Sequence, residues 1–261
     1  MAVAAATVVS AQVHSARLES MTWKEAAAAL TPRTVVVIPL GAASKEHGLH
    51  LKLNNDLVMA EYLTSEVMVR TPVVVAPAVN YHFYPAFVEY PGATSLRRET
   101  ARDLMVDICR GLAHFGPRKF YVLNTGVSTI AALELAAEEL AKDGIAMGFT
   151  DILHASGAVE KQVRQEPEGS HADEIETSMM LYIAPQSVDM TKAAKDFPHG
   201  NGPLQWRDPE GARYSASGVY GDATLATREK GETVFEAVVA PLVEFVREFK
   251  TYDRGPSQDM H

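Results

Sequence analysis

Short apolar runs rich in β-branched residues alternate along the chain with longer stretches whose apolar residues recur every three or four positions. The short runs are typical of strands buried on both faces, and the longer stretches are typical of amphipathic helices. The predicted strands are residues 34–38, 73–76, 119–123 and 149–153. The predicted helices are residues 57–69, 97–115, 129–142 and 232–249. This alternation predicts an α/β fold with a mostly parallel sheet covered by helices.

One stretch, residues 157–220, departs from the alternation. It is rich in Gly, Pro, Asp and Ser, and a long irregular segment inside a compact domain is usually functional or disordered. We expect a single domain over residues 21–250, preceded by a flexible tail (1–20) and followed by another (251–261). No apolar run approaches the roughly 18 residues that cross a bilayer, so we expect no membrane partner.

Composition and charge narrow the classes of function. The 261 residues are 47% hydrophobic and 22% charged, as in an average globular protein with a full core. A formal net charge of −9 argues against a nucleic-acid partner, whose phosphates attract basic surfaces. Cys109 is the single cysteine, so no internal disulfide forms. We expect a cytoplasmic location, or a periplasmic or secreted one if residues 1–12 are the remnant of a signal peptide.

The stretch SKEHGLHLKLNND, residues 44–56, gathers ligand-type side chains directly after the first predicted strand. In parallel sheets, ligands bind where strands end in this way. His47 and Asp56 are nine residues apart, which suits a loop that donates one metal ligand and a second as the next helix begins. With Glu46 and His50 nearby, these donors suit Zn²⁺ or Mn²⁺. The alternatives are that Asp56 caps the helix and that His47 is an ordinary loop residue.

Four stretches, in order along the chain, resemble the creatininase family of metal-dependent amidohydrolases. TVVVIPLGAASKEHGLHLKLNND (34–56) resembles the first signature of the family, and MTWKEAAAAL (21–30) resembles the helix that precedes it. GSHADEIETSMML (169–181) resembles its His-Ala-Gly-Glu-x-Glu-Thr-Ser block. SGVYGDATLATREKGE (217–232) resembles its Gly-rich segment before the last helix.

The resemblance implies a three-layer α/β/α sandwich, a homo-oligomer (a hexamer in the family) and a two-metal site. His47 and Asp56 stand at positions of family metal ligands, and Glu46 is the nearest substitute for the family glutamate of this loop. His171 and Glu176 stand at positions that assist catalysis, which implies a general acid or base role.

The chain departs from the family pattern at three positions. Lys45 stands where the family has a glutamate ligand two residues before the histidine. In NTGVST, residues 124–129, Gly126 stands at the position of a metal-binding histidine and Ser128 at that of a second glutamate. We therefore expect one divalent ion, Zn²⁺ or Mn²⁺, rather than two.

Further polar side chains and glycines are expected near strand ends or in Gly-rich turns, where they could contact a substrate. For each, an ordinary role in packing, turn formation or surface charge is the alternative. Ser128 could also belong to an anion-binding helix N-terminus. The candidates for substrate contact are His50, His82, Tyr84, Glu89, Ser128, His154, Gly218 and Gly221.

These features predict a metal-dependent hydrolase that acts on a small polar cyclic substrate. A metal-activated water would attack a carbonyl carbon and break a C–N bond of a cyclic amide or formamide, or a C–C bond of an oxidised cyclitol. The first alternative is a ligand-binding homologue that keeps the fold with an incomplete metal site. The second is a phosphate binder that uses NTGVST, which ranks last because the chain lacks GxxxxGK(S/T) and GxGxxG motifs.

Overall fold

The computed structural model describes residues 15–251. Five parallel strands form its central sheet, in the order β1-β3-β2-β4-β5. They are β1 (Ala16–Arg17), β2 (Val35–Leu40), β3 (Val74–Val75), β4 (Lys119–Asn124) and β5 (Ala146–Phe149). A separate antiparallel pair consists of β6 (Lys195–Asp196) and β7 (Gly221–Asp222).

Seven α-helices belong to the described part of the chain. They are α1 (Trp23–Ala29), α2 (Asn55–Arg70), α3 (Arg98–Ala113), α4 (Ile130–Ala141), α5 (Ile152–Val163), α6 (Glu174–Ile183) and α7 (Arg228–Thr251).

The central strand β2 is buried throughout and supplies both hydrophobic cores. Val35 and Val37 face a core formed with α2, α6 and α7, against which α5 also packs. Val36, Ile38 and Leu40 face the opposite core, formed with α3 and α4. Because successive side chains of a strand point to opposite faces, one apolar run fills both interfaces. The predicted three-layer α/β/α sandwich is therefore confirmed.

The prediction of a strand at residues 149–153 is wrong. The strand is Ala146–Phe149, and α5 begins at Ile152. Asp151 separates the two elements, because its side chain accepts hydrogen bonds from the backbone N–H groups of Leu153 and His154 and so caps the helix. The apolar residues on either side of this cap look continuous in sequence although the chain turns between them. Since α5 and α6 also lie partly or wholly within residues 157–220, that stretch is less irregular than predicted.

Near the N-terminus, β1 lies within the segment that the sequence analysis assigns to a tail. It pairs with β3, and the Arg17 guanidinium lies 2.6 Å from the Glu61 carboxylate.

The predictions for residues 1–12 and 252–261 concern residues outside the described part. Among residues 15–251, no helix combines the length and hydrophobicity needed to cross a membrane.

The site lies at the carboxyl ends of β2 and β4, where the sheet order reverses direction. From β2, the chain continues to β3 on one side and later to β4 on the other. Such a switch point leaves a crevice between the loops that follow the two strands. Gly41 brings the loop after β2 against α2, since a Cβ atom at this position would overlap the backbone carbonyl of Asp56. Thr125, after β4, donates its hydroxyl to that same carbonyl at 2.9 Å.

Candidate metal and active site

The carboxylate of Asp56 lies at the centre of the crevice, and the residue is 1% exposed. Its Oδ1 is 2.8 Å from Nε2 of His47, and its Oδ2 is 2.8 Å from Nζ of Lys45. The N-cap position of α2 belongs to Asn54. Asp56 thus directs its side chain at two basic groups rather than at the helix backbone, which argues against the capping alternative.

The His47 ring is held in one orientation. Its Nδ1 donates to the carbonyl of Lys45 at 3.0 Å, so Nε2 faces Asp56 and lies 3.4 Å from Oε1 of Glu176. Burial and the Lys45 charge lower the pKa of His47, but the two carboxylates outweigh them and raise it to about 9. In the absence of a metal ion, His47 is therefore an imidazolium at neutral pH.

Glu176 is positioned by the first turn of α6. Asp173 caps this helix by accepting from the N–H of Glu176 at 2.9 Å. The N–H of Ala172, a residue with a left-handed φ of 47°, donates to Oε2 of Glu176 at 2.6 Å. Burial raises the pKa of Glu176, but the charge and hydrogen bond of His47, together with the charges of other basic neighbours such as Lys45, hold it well below its ordinary value. Glu176 is consequently a carboxylate at neutral pH.

His171 completes the cluster from the loop before α6. Its Nε2 lies 2.9 Å from Oε2 of Glu46, and its Nδ1 lies 3.8 Å from Oε2 of Glu176. The imidazole also packs on the Phe87 ring, with 3.9 Å between ring centroids. The other carboxylate oxygen of Glu46 accepts from the N–H of Gly48. Glu46, predicted as a metal ligand, is instead placed behind His171, where it orients the imidazole.

The donors present fit one divalent ion. His47, His171 and Glu176 each offer a ligand atom, and these atoms lie within 4.8 Å of one another. Imidazole nitrogen and carboxylate oxygen are ligands that Zn²⁺ and Mn²⁺ accept. A second ion on the far side of Asp56 does not fit, because the Lys45 ammonium group is already there. The prediction of one ion rather than two agrees with this geometry.

An aromatic ring fills the space beside Gly126, the position at which the sequence resemblance implies a histidine. A Cβ atom at Gly126 would lie 2.9 Å from the side chain of Thr129 and 3.2 Å from the Tyr84 ring. Tyr84 is 2% exposed, and its hydroxyl has no hydrogen-bond partner within residues 15–251. Burial, with a smaller effect of the Asp56 charge, raises the pKa of Tyr84 well above its ordinary value. A neutral phenol thus borders the site.

The hydroxyls of the NTGVST segment are used inside the protein. Ser128 donates to the carbonyl of Phe83 at 2.9 Å, and Thr129 donates to Oδ1 of Asn124 at 2.7 Å. The Thr125 hydroxyl, described above, also bonds to backbone. With these groups satisfied internally, the geometry gives no support to a phosphate site here.

A cavity of about 500 Å³ opens onto the cluster, which is a size suited to a small molecule. Its charged and imidazole lining residues are Lys45, Glu160, Arg164, His171, Asp173, Glu176 and Arg213. Of the predicted substrate contacts, Tyr84 and Ser128 also line it. The remaining wall is largely apolar and includes Met59, Phe87, Ile152, Leu153, Met179 and Leu204.

The other predicted contacts lie outside the cavity wall. His50 is buried, with Nε2 2.7 Å from the Thr177 hydroxyl, and His82 is buried beside Tyr84. Glu89 and His154 are exposed. His154 was expected at a strand end and instead lies in the first turn of α5.

Gly218 and Gly221 bring backbone close to carboxylates rather than to the cavity. Gly218 has a φ of 73°, and a Cβ atom there would overlap the carboxylate of Glu46. Gly221 has a φ of 145°, and a Cβ atom would contact Asp173 and Glu166. The close approach predicted for these glycines is present, but its partners are the residues that orient His171 and α6.

The charged cavity residues that the sequence prediction missed include Lys45 and Arg213. Lys45 was recognised only as a departure from a pattern. Arg213 follows the irregular segment PEGA and has a φ of 55°, which no local sequence signal indicates. Assigning either residue to the cavity requires knowledge of which loops come together in the folded protein.

Comparison with known proteins gives concordant results. Residues 19–246 match the creatininase family, described as creatinine amidohydrolase. A creatinine amidohydrolase of Pseudomonas putida is 28% identical over 250 residues, which cover 87% of this chain and 95% of that enzyme. A 3-dehydro-scyllo-inosose hydrolase of Thermotoga maritima is 25% identical over 257 residues, which cover 88% of this chain and 82% of that enzyme.

Solved structures extend the similarity to three dimensions. A manganese creatininase superposes with a TM-score of 0.75 at 28% identity, covering 90% of this chain and 98% of that chain. A creatininase mutant of the Zn-Zn type superposes with a TM-score of 0.73 at 28% identity, covering 89% and 97% of the two chains.

Replacing Gly218 tests whether Glu46 orients His171. We expect Gly218→Ala to displace the Glu46 carboxylate and to weaken Zn²⁺ binding by roughly 10- to 100-fold, as the loss of partners behind a metal site does. Isothermal titration calorimetry measures the affinity. Gly144→Ala is the matched control, because Gly144 has a similar φ of 67° with no heavy atom within 4 Å of the added Cβ. Equal affinities in the two variants would contradict the assignment.

The buried imidazole of His82 should make the stability of the protein depend on pH. Burial lowers the pKa of His82 from 6.5 to about 4. Between these values the unfolded chain binds a proton that the folded chain does not, so the free energy of unfolding falls as the pH drops. At about 1.4 kcal/mol per pKa unit, the loss is about 3 kcal/mol by pH 4.

Urea denaturation at pH 7 and pH 4 measures this loss. His82→Leu should lose about 3 kcal/mol less than the parent protein over this range. His154→Leu, at an exposed histidine, should lose as much as the parent. The same loss in all three proteins would exclude His82 as the source.

Proposed function

The chain belongs to the creatininase family, and on that premise we propose that it hydrolyses a C–N or C–C bond in a small polar cyclic substrate. It is a metal-dependent hydrolase, and its cofactor is a divalent ion, Zn²⁺ or Mn²⁺. One observation carries the proposal: buried imidazole and carboxylate donors converge at the wall of a cavity of about 500 Å³.

We assign His47, Asp56 and Glu176 as the residues that hold the ion, and we leave His171, whose ligand atom also lies within 4.8 Å of those of His47 and Glu176, to proton transfer. The Nε2 of His47 lies 2.8 Å from the Asp56 carboxylate and 3.4 Å from that of Glu176, so this nitrogen is close to both carboxylates. When bound, a divalent cation supplies Lewis acidity, which lowers the pKa of water and polarises a carbonyl group. The imidazolium proton of His47 must leave for the ion to bind, so proton and metal compete for the same nitrogen.

His171 is assigned to proton transfer. Glu46 bonds its Nε2, which fixes the ring and leaves Nδ1 facing Glu176. A histidine oriented by a carboxylate on one nitrogen can take up and release a proton at the other. In this proposal, Nδ1 takes the proton of the attacking water and returns it to the departing nitrogen or carbon.

Two similar enzymes guide the choice of substrate. One acts on creatinine and the other on 3-dehydro-scyllo-inosose. Both molecules are small polar rings with a carbonyl group, which suits a cavity of this size with charged and imidazole groups in its wall. The reaction class proposed here covers both ring types, with water as the second reactant.

Assembly is also a proposal. A homohexamer of the domain spanning residues 21–250 is expected from the family resemblance. Size-exclusion chromatography with light scattering would give about six times the chain mass of 28.4 kDa for a hexamer. A monomer in solution would exclude this assembly.

Histidine variants separate metal binding from proton transfer. We expect His47→Ala to lose both bound metal and hydrolysis, because it removes a nitrogen that holds the ion. His171→Ala should keep most of the metal but lose hydrolysis by roughly 10²- to 10⁴-fold, the usual contribution of a general acid or base. Metal content by mass spectrometry and hydrolysis of creatinine, a cyclic formamide and an oxidised cyclitol provide the readouts.

His154→Ala is the control, since it removes an exposed imidazole outside the cavity and should change neither readout. If chelation of the metal leaves all three reactions unchanged, metal-dependent hydrolysis of these substrates is excluded. A His171→Ala protein without metal would move His171 from proton transfer to metal binding.

A further inference from the structure

Lys45 is a buried cation inside the active site. Its side chain is 9% exposed, and its ammonium nitrogen lies 2.8 Å from Oδ2 of Asp56. Two aromatic rings also face it, with centroids 5.9 Å (Tyr84) and 5.0 Å (Phe87) from the nitrogen. Buried lysines are rare unless they are paired, so the environment of this side chain is specific for a positive charge.

The loop after β2 holds Lys45 in this position through its backbone. The N–H of Lys45 donates to the carbonyl of Leu53 at 3.0 Å. Its own carbonyl accepts from Nδ1 of His47 at 3.0 Å. Because both backbone groups are bonded, the side chain leaves the loop in a fixed direction, toward Asp56.

The two oxygens of Asp56 face two different basic groups. Oδ1 faces His47, on the side where the ion is proposed to bind, and Oδ2 faces Lys45. A carboxylate shared by two metal ions uses its oxygens in the same way, with one cation on each side. Beside Lys45, the space next to Gly126 is filled by the Tyr84 ring rather than by a further ligand.

We propose that the ammonium group of Lys45 permanently takes the place of one of two metal ions around Asp56, so that the protein works with a single divalent ion and a built-in second positive charge. This inference rests on the proposed metal-dependent function. Unlike a metal ion, the ammonium group cannot dissociate, and it leaves the metal-free site partly neutralised.

The ammonium group also lines the cavity, where it can contact the substrate. A lysine ammonium carries three N–H donors, and Asp56 does not use all of them. A donor at this point can bind a carbonyl oxygen and stabilise the negative charge that develops on it during attack. Lys45 would thus supply the charge stabilisation of a second ion without activating water.

Zinc stoichiometry tests the inference without using activity. Wild-type protein and variants are dialysed against excess Zn²⁺ and desalted, and zinc per chain is measured by mass spectrometry. The wild type should retain one equivalent. Lys45→Glu, which replaces the cation by a ligand, should retain more than one and approach two. Lys52→Glu makes the same charge change at an exposed position of the same loop and should stay at one.

Each outcome has a distinct meaning. Two equivalents in the wild type would overturn the role of Lys45 and leave the metal-dependent function intact. No zinc in the wild type would overturn that function and this inference with it. One equivalent in a folded Lys45→Glu protein would show that the ammonium group does not exclude a second ion, which overturns the inference alone.

A neutral variant keeps the test valid if Lys45→Glu fails to fold. Lys45→Met retains the length of the side chain and removes its charge. Without metal, Lys45→Met should melt at a lower temperature than the wild type. Zn²⁺ should raise the melting temperature of the variant by more than it raises that of the wild type. Equal melting temperatures of the metal-free proteins would overturn the inference.

Discussion

The fold and the site depend on one buried anion, the carboxylate of Asp56. A carboxylate removed from water is costly unless positive groups surround it. Here His47 and Lys45 each lie 2.8 Å from one of its oxygens, and the N-terminal end of α2 adds the favourable end of the helix dipole. The absence of a side chain at Gly41 allows the loop after β2 to come close enough to provide these partners.

Around this anion, opposite charges alternate. His47 lies between the carboxylates of Asp56 and Glu176, and Lys45 faces the other oxygen of Asp56. The two carboxylates raise the pKa of His47, and the charge of His47 lowers that of Glu176. Burial lowers the pKa of Lys45, but Asp56 and Glu176 together raise it above its ordinary value. The polypeptide therefore provides positive charges that balance these carboxylates before any ion arrives. Exchange of the His47 proton for a divalent ion changes the charge on one side of Asp56 only.

Much of the fold can be predicted from the sequence because the signals are local. The apolar run of β2 and the periodic pattern of α2 place these elements within a few residues of their observed bounds. The same proximity in sequence places His47 and Asp56 together. The roles of Glu46 and Lys45 are not predictable in this way. The two residues are adjacent in sequence, yet the side chain of Glu46 points to His171 and that of Lys45 to Asp56. Glu46 is placed by its contact with Gly218, which is distant in sequence, and Lys45 by a backbone hydrogen bond to Leu53 at the far end of the loop.

Anomalous diffraction at the zinc edge, from crystals soaked in Zn²⁺, tests this account of the site most directly. We expect one strong peak in contact with His47, Asp56 and Glu176, and a Lys45 ammonium group that remains within about 3 Å of the other oxygen of Asp56. Two peaks, one on each side of that carboxylate with the lysine side chain turned away, would contradict it.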